Sequence, residues 1–303
     1  MPAIKIGTGL PWTPGRLGRP DVTGSARYIE QLGLESAWMP DLIIGDGTPA
    51  LEPALTLAAA AAATERIGIG FSVLILPLRP VAWTATQIAT LQHLSGNRVL
   101  LGIGSGGFPD APFWQAVGMP GRDRGRRTDA ALDLLPSLLA GEPTRIDPQH
   151  PPVTLAPAAP MPPVLVGGNT ETAIRRAVRR GNGWFPSLIA PGDLAGAVAR
   201  LRDLAAEHGV PTPSVTVGGH LFLGDDTSAR DARDAFIRNL TDVHRMPPET
   251  AAKVPMTARG PEELAEVFAA YQAAGADRIV TGPDNTEWKS GLQIMAEARA
   301  LLD

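Results

Sequence analysis

Cysteine is absent from the 303 residues, which excludes disulfides, thiolate catalysis and cysteine-held metals. Lysine is nearly absent as well, confined to Lys5, Lys253 and Lys289. Arginine therefore carries almost all the positive charge, and with the abundant alanine this reads as the coding bias of a GC-rich genome. The net charge of −4 leaves no basic excess to suit nucleic acid or an anionic membrane. No apolar run is long enough to span a bilayer, and the longest, Ala58 to Ala63, is alanine inside a helix. The five histidines nowhere pair at i, i+3 or i+4, the spacing a helical metal site needs. The chain enters a strand at Ile4 with no signal-peptide pattern ahead of it, so the expected location is the cytoplasm.

What is present is alternation. Strands are expected at Ile4–Gly9, Ser36–Met39, Arg66–Leu76, Val99–Ile103, Val164–Val166, Gly183–Phe185, Ser214–Leu223 and Asp277–Thr281. Each is followed by a helical pattern, for example Pro80–Leu94 with Val81, Thr84, Ile88 and Leu91 on one face. Strands that alternate with helices form parallel sheets, and eight such units in about this length form a closed (β/α)8 barrel. A doubly wound open sheet is the other arrangement of the same elements. No linker interrupts the rhythm, so residues 1–303 read as one domain. Two stretches exceed a simple connection: Phe108–Gly121 after the fourth strand, and Thr241–Gly260 after the seventh. Long loops in compact domains serve function or motion, and the second reads as a lid or an interface element. Gly141–Pro163 is proline-rich and reads as an irregular excursion or small hairpin.

The segment RVLLGIGSGG, Arg98 to Gly107, is the most informative. Its apolar strand needs cover on both faces, and Gly102, Gly104 and Gly107 satisfy G-x-G-x-x-G. A dinucleotide fingerprint must open directly into a helix; here Phe108-Pro109-Asp110-Ala111-Pro112 follows, and the prolines break any helix at that point. The loop is a candidate site of another kind. Gly104-Ser105-Gly106 likewise lacks the helix of a nucleophile elbow.

Barrel sites lie on loops at the C-terminal ends of the strands. At the fifth strand end, Gly167-Gly168-Asn169 leads into a helix. Asn169 suits the N-cap position, which leaves the amides of Thr170, Glu171 and Thr172 outward, an arrangement that binds phosphate. Arg122-Asp123-Arg124-Gly125-Arg126-Arg127 opens the helix after the fourth strand; cations there oppose the helix dipole, and an anion nearby would account for them. Asp41 closes the second strand, where a buried carboxylate needs a ligand or a local partner. His220 falls within the seventh strand, as a core histidine or a catalytic one.

The runs ERIGIGFSVLILPLRP, LQHLSGNRVLLGIGSGG, GRDRGRRTDAALDLL, PPVLVGGNTETAIRRA with NGWFPS after it, and GPEELAEVFAAYQAAGADRIV together resemble the luciferase-like monooxygenase superfamily over nearly the whole chain. The resemblance implies a (β/α)8 barrel, commonly dimeric, that uses FMN or the deazaflavin coenzyme F420. It implies a non-proline cis peptide at Ser72-Val73 behind the isoalloxazine ring, and Asp41 beside that ring. It implies phosphate contacts from Ser105, Arg124, Gly168, Asn169 and Thr172. Gly106, Gly167 and Thr170 join the expected cofactor-binding set from the glycine loops and the helix start. The chain departs from the family pattern at Leu42, where histidine is common, at Gly106-Gly107-Phe108, where an acid can stand, and at Asn182.

The expected function is F420-dependent hydride transfer on a small, largely apolar substrate, with Phe108, Trp114 and residues 241–260 shaping the pocket. FMN-dependent oxygenation, served by a separate reductase, is the alternative within the family, and a flavin-binding barrel without catalysis is another. A barrel lyase or isomerase for phosphorylated metabolites binds phosphate after strands seven and eight, where Asp225, Asp226 and Asp284 would repel it here. No catalytic residue is assigned from sequence.

Overall fold

The computed structural model describes residues 3–11, 21–41 and 50–302. Trp12, Leu42 and the Pro11–Pro20 loop beyond Pro11 lie outside the described residues. In chain order the elements are β1 (Lys5–Gly9), α1 (Val22–Gln31), β2 (Ser36–Met39), α2 (Pro53–Ala63), β3 (Gly68–Ile75), α3 (Val81–Ser95), β4 (Val99–Gly104), α4 (Pro112–Ala116) and α5 (Arg124–Leu139). They continue with β5 (Val164–Gly167), α6 (Glu171–Arg180), β6 (Gly183–Phe185), α7 (Pro191–Glu207), β7 (Ser214–Gly218), β8 (Leu221–Leu223) and α8 (Thr227–Asp242). The last are α9 (Pro248–Ala251), β9 (Met256–Ala258), α10 (Pro261–Ala273), β10 (Arg278–Val280) and α11 (Trp288–Ala300).

Eight strands close into a parallel barrel in the order β1-β10-β7-β6-β5-β4-β3-β2, with helices outside: a (β/α)8 barrel. The open sheet is ruled out by the β1–β10 pairing, Lys5 opposite Arg278 and Gly7 opposite Val280. The expected seventh strand is two. β7 ends at Gly218, the chain turns out of the barrel at Gly219, and β8 pairs with β9 in a separate parallel sheet. The apolar pattern runs unbroken across this turn because both pieces are buried; the glycine pair was the local sign of the break. The 241–260 insert thus contains α9 and all of β9 rather than irregular chain. The 141–163 excursion carries one antiparallel bridge, Thr144 to Val153.

Strand alternation splits the core. Ile6, Ile69, Leu101, Ile103, Val164 and Val166 face the helices in one large buried cluster. Trp38, Leu165, Phe185 and Val280, with Val73 and Leu100 against them, fill the barrel. Trp38 and Phe185 meet edge to face at 5.4 Å, a favoured aromatic geometry. Trp38 fits because glycine stands beside it: a Cβ on Gly70 would lie 2.2 Å from the indole.

Arg98, at the entry to β4, ties that strand to the end of α2. Its guanidinium donates to the carbonyls of Ser95, Ile67, Ala61 and Thr64 and to Thr64 Oγ1, at 2.6 to 3.0 Å. Carbonyls at a helix C-terminus lack intrahelical partners, and one arginine satisfies several.

The barrel floor is polar. Arg278 donates to both Glu35 oxygens (2.9 and 2.7 Å) and to Thr216 Oγ1 (3.2 Å). Burial pushes the Glu35 carboxyl up, but hydrogen bonding and charge from Arg278, with Ser36 and Lys5, bring it net below its ordinary value of 4.5. A carboxylate whose folded pKa is depressed contributes stability that is present above its unfolded value and lost as pH falls through the folded one. Replacing Glu35 with glutamine is therefore expected to lower stability at neutral pH. Denaturant titrations at a series of pH values should show the gap to wild type narrowing below the ordinary carboxylate value.

Candidate active site

The C-terminal strand ends surround one large cavity of about 2480 Å³, several times the volume of a drug-sized pocket. Asp41, Ser72, Val73, Ser105, Gly106, Arg124, Gly167, Gly168, Thr170 and Thr172 all line it. Ser72-Val73 is a cis peptide, and it sits where β3 slips register against β4 between Phe71 and Leu74.

Asn169 is the exception among the expected site residues. It is not part of the cavity wall; its amide clips onto Ser187, donating to the carbonyl at 2.6 Å and accepting from the Ser187 N–H at 3.1 Å. The loops after β5 and β6 are joined by this pair. The cap of α6 is Thr170 instead, whose hydroxyl accepts from Ala173 N–H. Both Asn and Thr are good caps, and the longer amide is drawn to a partner on the neighbouring loop.

Two helix starts meet at this side of the cavity. α6 presents Thr170 and Thr172, and α5 presents Asp123, Arg124 and Gly125. Asp123 adopts a left-handed conformation (φ 56°) and its side chain makes no cap, so the first amides of α5 keep their hydrogen-bonding capacity. The first amides of each helix, together with its macrodipole, favour an anion. Arg124 has a local task too: it donates to the carbonyls of Gly106 (2.7 Å), Gly107 (3.3 Å) and Gly121 (3.5 Å). Among the described residues no carboxylate neutralises it, whereas Arg176, on the same wall, is paired with Asp129 at 2.6 Å.

Asp41 is buried and both its oxygens are taken. Arg79 grips it with both terminal nitrogens (2.6 and 2.9 Å), and Ile75 N–H, at the end of β3, donates at 2.9 Å. The local-partner alternative for Asp41 is the one found. Burial works to lower the Arg79 pKa, but Asp41 and Glu52 hold it net above its ordinary value. Arg79 was not singled out from sequence; the sign that it existed was a carboxylate expected at a buried strand end.

The opposite wall comes from β7, β10 and α8. His220 Nδ1 lies 3.0 Å from Asp284 Oδ2, its ring is 4.5 Å from that of Phe236, and Phe236, Asn239, Leu240 and His244 line the cavity beside it. This corrects two expectations. His220 is outside the barrel core, and the apolar wall is α8 rather than Phe108 and Trp114. Trp114 is buried behind Gly106 and donates to the Phe108 carbonyl at 2.8 Å, and the Phe108 side chain is mostly exposed.

A family model described as luciferase-like monooxygenase matches residues 13–286. An uncharacterised protein of Mycobacterium tuberculosis is 36% identical over 172 residues, 55% of this chain and 59% of its own length. An F420-dependent glucose-6-phosphate dehydrogenase of Beutenbergia cavernae is 36% identical over 180 residues, 54% of this chain and 52% of its own. The matches thus span little more than half the length of these relatives. Among solved structures, an F420-dependent secondary alcohol dehydrogenase in complex with an F420-acetone adduct superposes with a TM-score of 0.85 at 17% identity, covering 99% of both chains. Among the described residues no helix is long and apolar enough to cross a membrane.

Proposed function

The chain belongs to the luciferase-like monooxygenase family, and from that premise we propose that it is an F420-dependent oxidoreductase acting on a small, largely apolar organic molecule. The observation that carries the reading is the pair of helix starts, α5 and α6, opening with Arg124 onto one side of the cavity. A phosphate-bearing coenzyme fits such a cradle, and glycine at 107 and 168, both on the cavity wall, would meet no protein atom closer than 3.4 Å with a Cβ added, which leaves backbone there open to close approach. The likeness to the Beutenbergia cavernae enzyme supports F420.

When bound, the deazaflavin supplies a two-electron hydride carrier. The chain supplies the rest. Amides at Thr170 and Thr172, with Gly168 and the α5 start, would hold the phosphate, and Arg124, which also ties down the loop after β4, would add its charge. Asp41, through Ile75 N–H, fixes the end of β3 and with it Ser72 and Val73, which would support the ring. Phe236 and Leu240, on the opposite wall, would limit water at the substrate. We further infer one barrel domain over the whole chain, active in the cytoplasm as a homodimer. Leu55 and Trp83, 74% and 62% exposed on the adjoining α2 and α3, are apolar surface that a second copy would cover.

Titration of the purified protein with F420, FMN and their phosphate-free counterparts tests the reading. F420 should bind, and the phosphate-free deazaflavin should bind about 10- to 100-fold more weakly, the worth of one or two hydrogen bonds to a charged group. Arg124→Met should shrink that gap, weakening F420 more than the phosphate-free deazaflavin. Tight FMN binding without F420 binding would replace the deazaflavin with a flavin, and would call for a separate reductase.

A further inference from the structure

We propose that His220, oriented by Asp284, is the proton acceptor and donor for the substrate of this barrel; the proposal rests on the hydride-transfer reading above.

The carboxylates of the cavity wall other than Asp284 are committed elsewhere. Asp41 is held by Arg79 and Ile75 N–H, and Asp123 pairs with Arg126. Asp21 caps α1 through Gly24 N–H, and Glu287 caps α11 through Ser290 N–H. His220 differs. Its Nδ1 faces Asp284, while Nε2 has no partner among the described residues. A carboxylate accepts only, so it selects the tautomer with the proton on Nδ1 and leaves the Nε2 lone pair available.

The pair is also rigidly mounted. The His220 carbonyl accepts from Met256 N–H at 3.0 Å, and Asp284 N–H donates to the Leu221 carbonyl at 2.9 Å. Leu221 bridges to Pro283, so both partners stand on backbone joined across β8 and the end of β10. The Phe236 ring, 4.5 Å away, covers the imidazole. A base oriented by a second group on fixed backbone is the arrangement proton transfer requires.

Its location suits the cofactor reading. β7 and β10 are neighbours in the barrel, and β3 and β4 lie across the ring from them. A coenzyme anchored by its phosphate after β4 and β5 would share the cavity with His220 on the facing wall. In alcohol oxidation the carbinol C–H bond breaks and its electron pair leaves with the hydrogen as hydride to the oxidised deazaflavin. The O–H bond breaks as its proton passes to His220 Nε2, and the electron pair left on oxygen forms the second bond of the carbonyl. The imidazolium, stabilised by Asp284, returns the proton to solvent through the open mouth. Carbonyl reduction runs the same steps backward, with His220 as the acid. Asp284 is a positioning residue.

The test uses the full chain with F420 and a panel of short and cyclic secondary alcohols, with the matching ketones and reduced F420. F420 affinity is measured separately by titration. His220→Gln should leave that affinity within about twofold and lower kcat about 100-fold, in the range of general acid–base catalysis, with KM nearly unchanged. Exogenous imidazole should restore part of the turnover of His220→Ala. Asp284→Asn should lower kcat about tenfold at constant KM. In nitrogen-15 histidine spectra of the cofactor-free protein, His220 should carry its proton on Nδ1, and Asp284→Ala should abolish that preference.

Wild-type kcat in His220→Gln, absence of imidazole rescue, or a proton on Nε2 would each overturn the proposal. So would a wild type that binds F420 yet oxidises no alcohol and reduces no ketone of the panel. A wild type that binds no F420 fails in the titration arm alone and removes the cofactor reading first, and this inference with it.

Discussion

Arg79→Ala should destabilise the protein by about 3–5 kcal/mol, a large share of the stability of an ordinary domain. The Asp41 side chain is fully buried and that of Arg79 is 10% exposed, so solvent screens the pair little. Removing the arginine leaves a buried carboxylate with one backbone donor, Ile75 N–H. Breaking such a pair from one side is costly because a charge stays behind without its partner, whereas replacing both members with apolar groups is often close to neutral. Asp41→Leu with Arg79→Met should therefore be less destabilised than Arg79→Ala alone. Urea titration of the two single variants and the double variant gives the coupling; strict additivity would remove the pair from the account of this end of β3.

The same experiment reads function. Asp41 holds Ile75, two residues beyond Val73, and Val73 lines the cavity. The double variant should keep the fold and still bind F420 more weakly, because the end of β3 loses its tether. If it binds as wild type does, Asp41 serves stability alone.

Much of this architecture is legible in the chain because it is local. Short apolar runs with helical patterns between them mark the strands, and glycine-rich strand ends mark the cavity rim. Residues joined over distance are less visible. Asp41 announces a need for a partner, but nothing nearby says that Arg79, thirty-eight residues on, answers it. His220 and Asp284 lie sixty-four apart, and their meeting depends on β8 leaving the barrel, which an unbroken apolar pattern hides. Asn169 and Thr170 are both good caps by type, and only the pairing of β5 with β6 brings Ser187 within reach of one of them. Trp114 reads as a pocket wall from its place in a long loop; the left-handed turn at Gly106 (φ 78°) packs it behind that wall instead.

The first two glycines of the G-x-G-x-x-G spacing have a structural cause, and Gly102→Ala is expected to show it with a loss of at least about 3 kcal/mol, beyond the usual range for overpacking. From Phe71 to Leu74 β3 advances three residues while β4 advances two, Leu101 to Ile103. The extra residue makes a bulge, and the Phe71 carbonyl turns into the space over Gly102. A Cβ there would stand 2.0 Å from that oxygen. The obstacle is backbone, so no rotamer relieves it; either the strands separate or the bulge is lost. Gly104 is milder, since its Cβ would meet Val73 Cγ2 at 2.7 Å, a side chain that can shift by moving the bulge toward the cavity. Gly107 has nothing within 4 Å, and alanine there should stay within about 0.5 kcal/mol of wild type. The expected order of destabilisation is Gly102→Ala, then Gly104→Ala, then Gly107→Ala, measured by thermal and urea unfolding. Gly104→Ala should weaken F420 binding more than its modest loss of stability accounts for, because the displaced bulge carries Ser72 and Val73 with it. Should Gly102→Ala instead match Gly107→Ala in stability, the glycines would owe their place to a ligand above the strand and not to the carbonyl beside it.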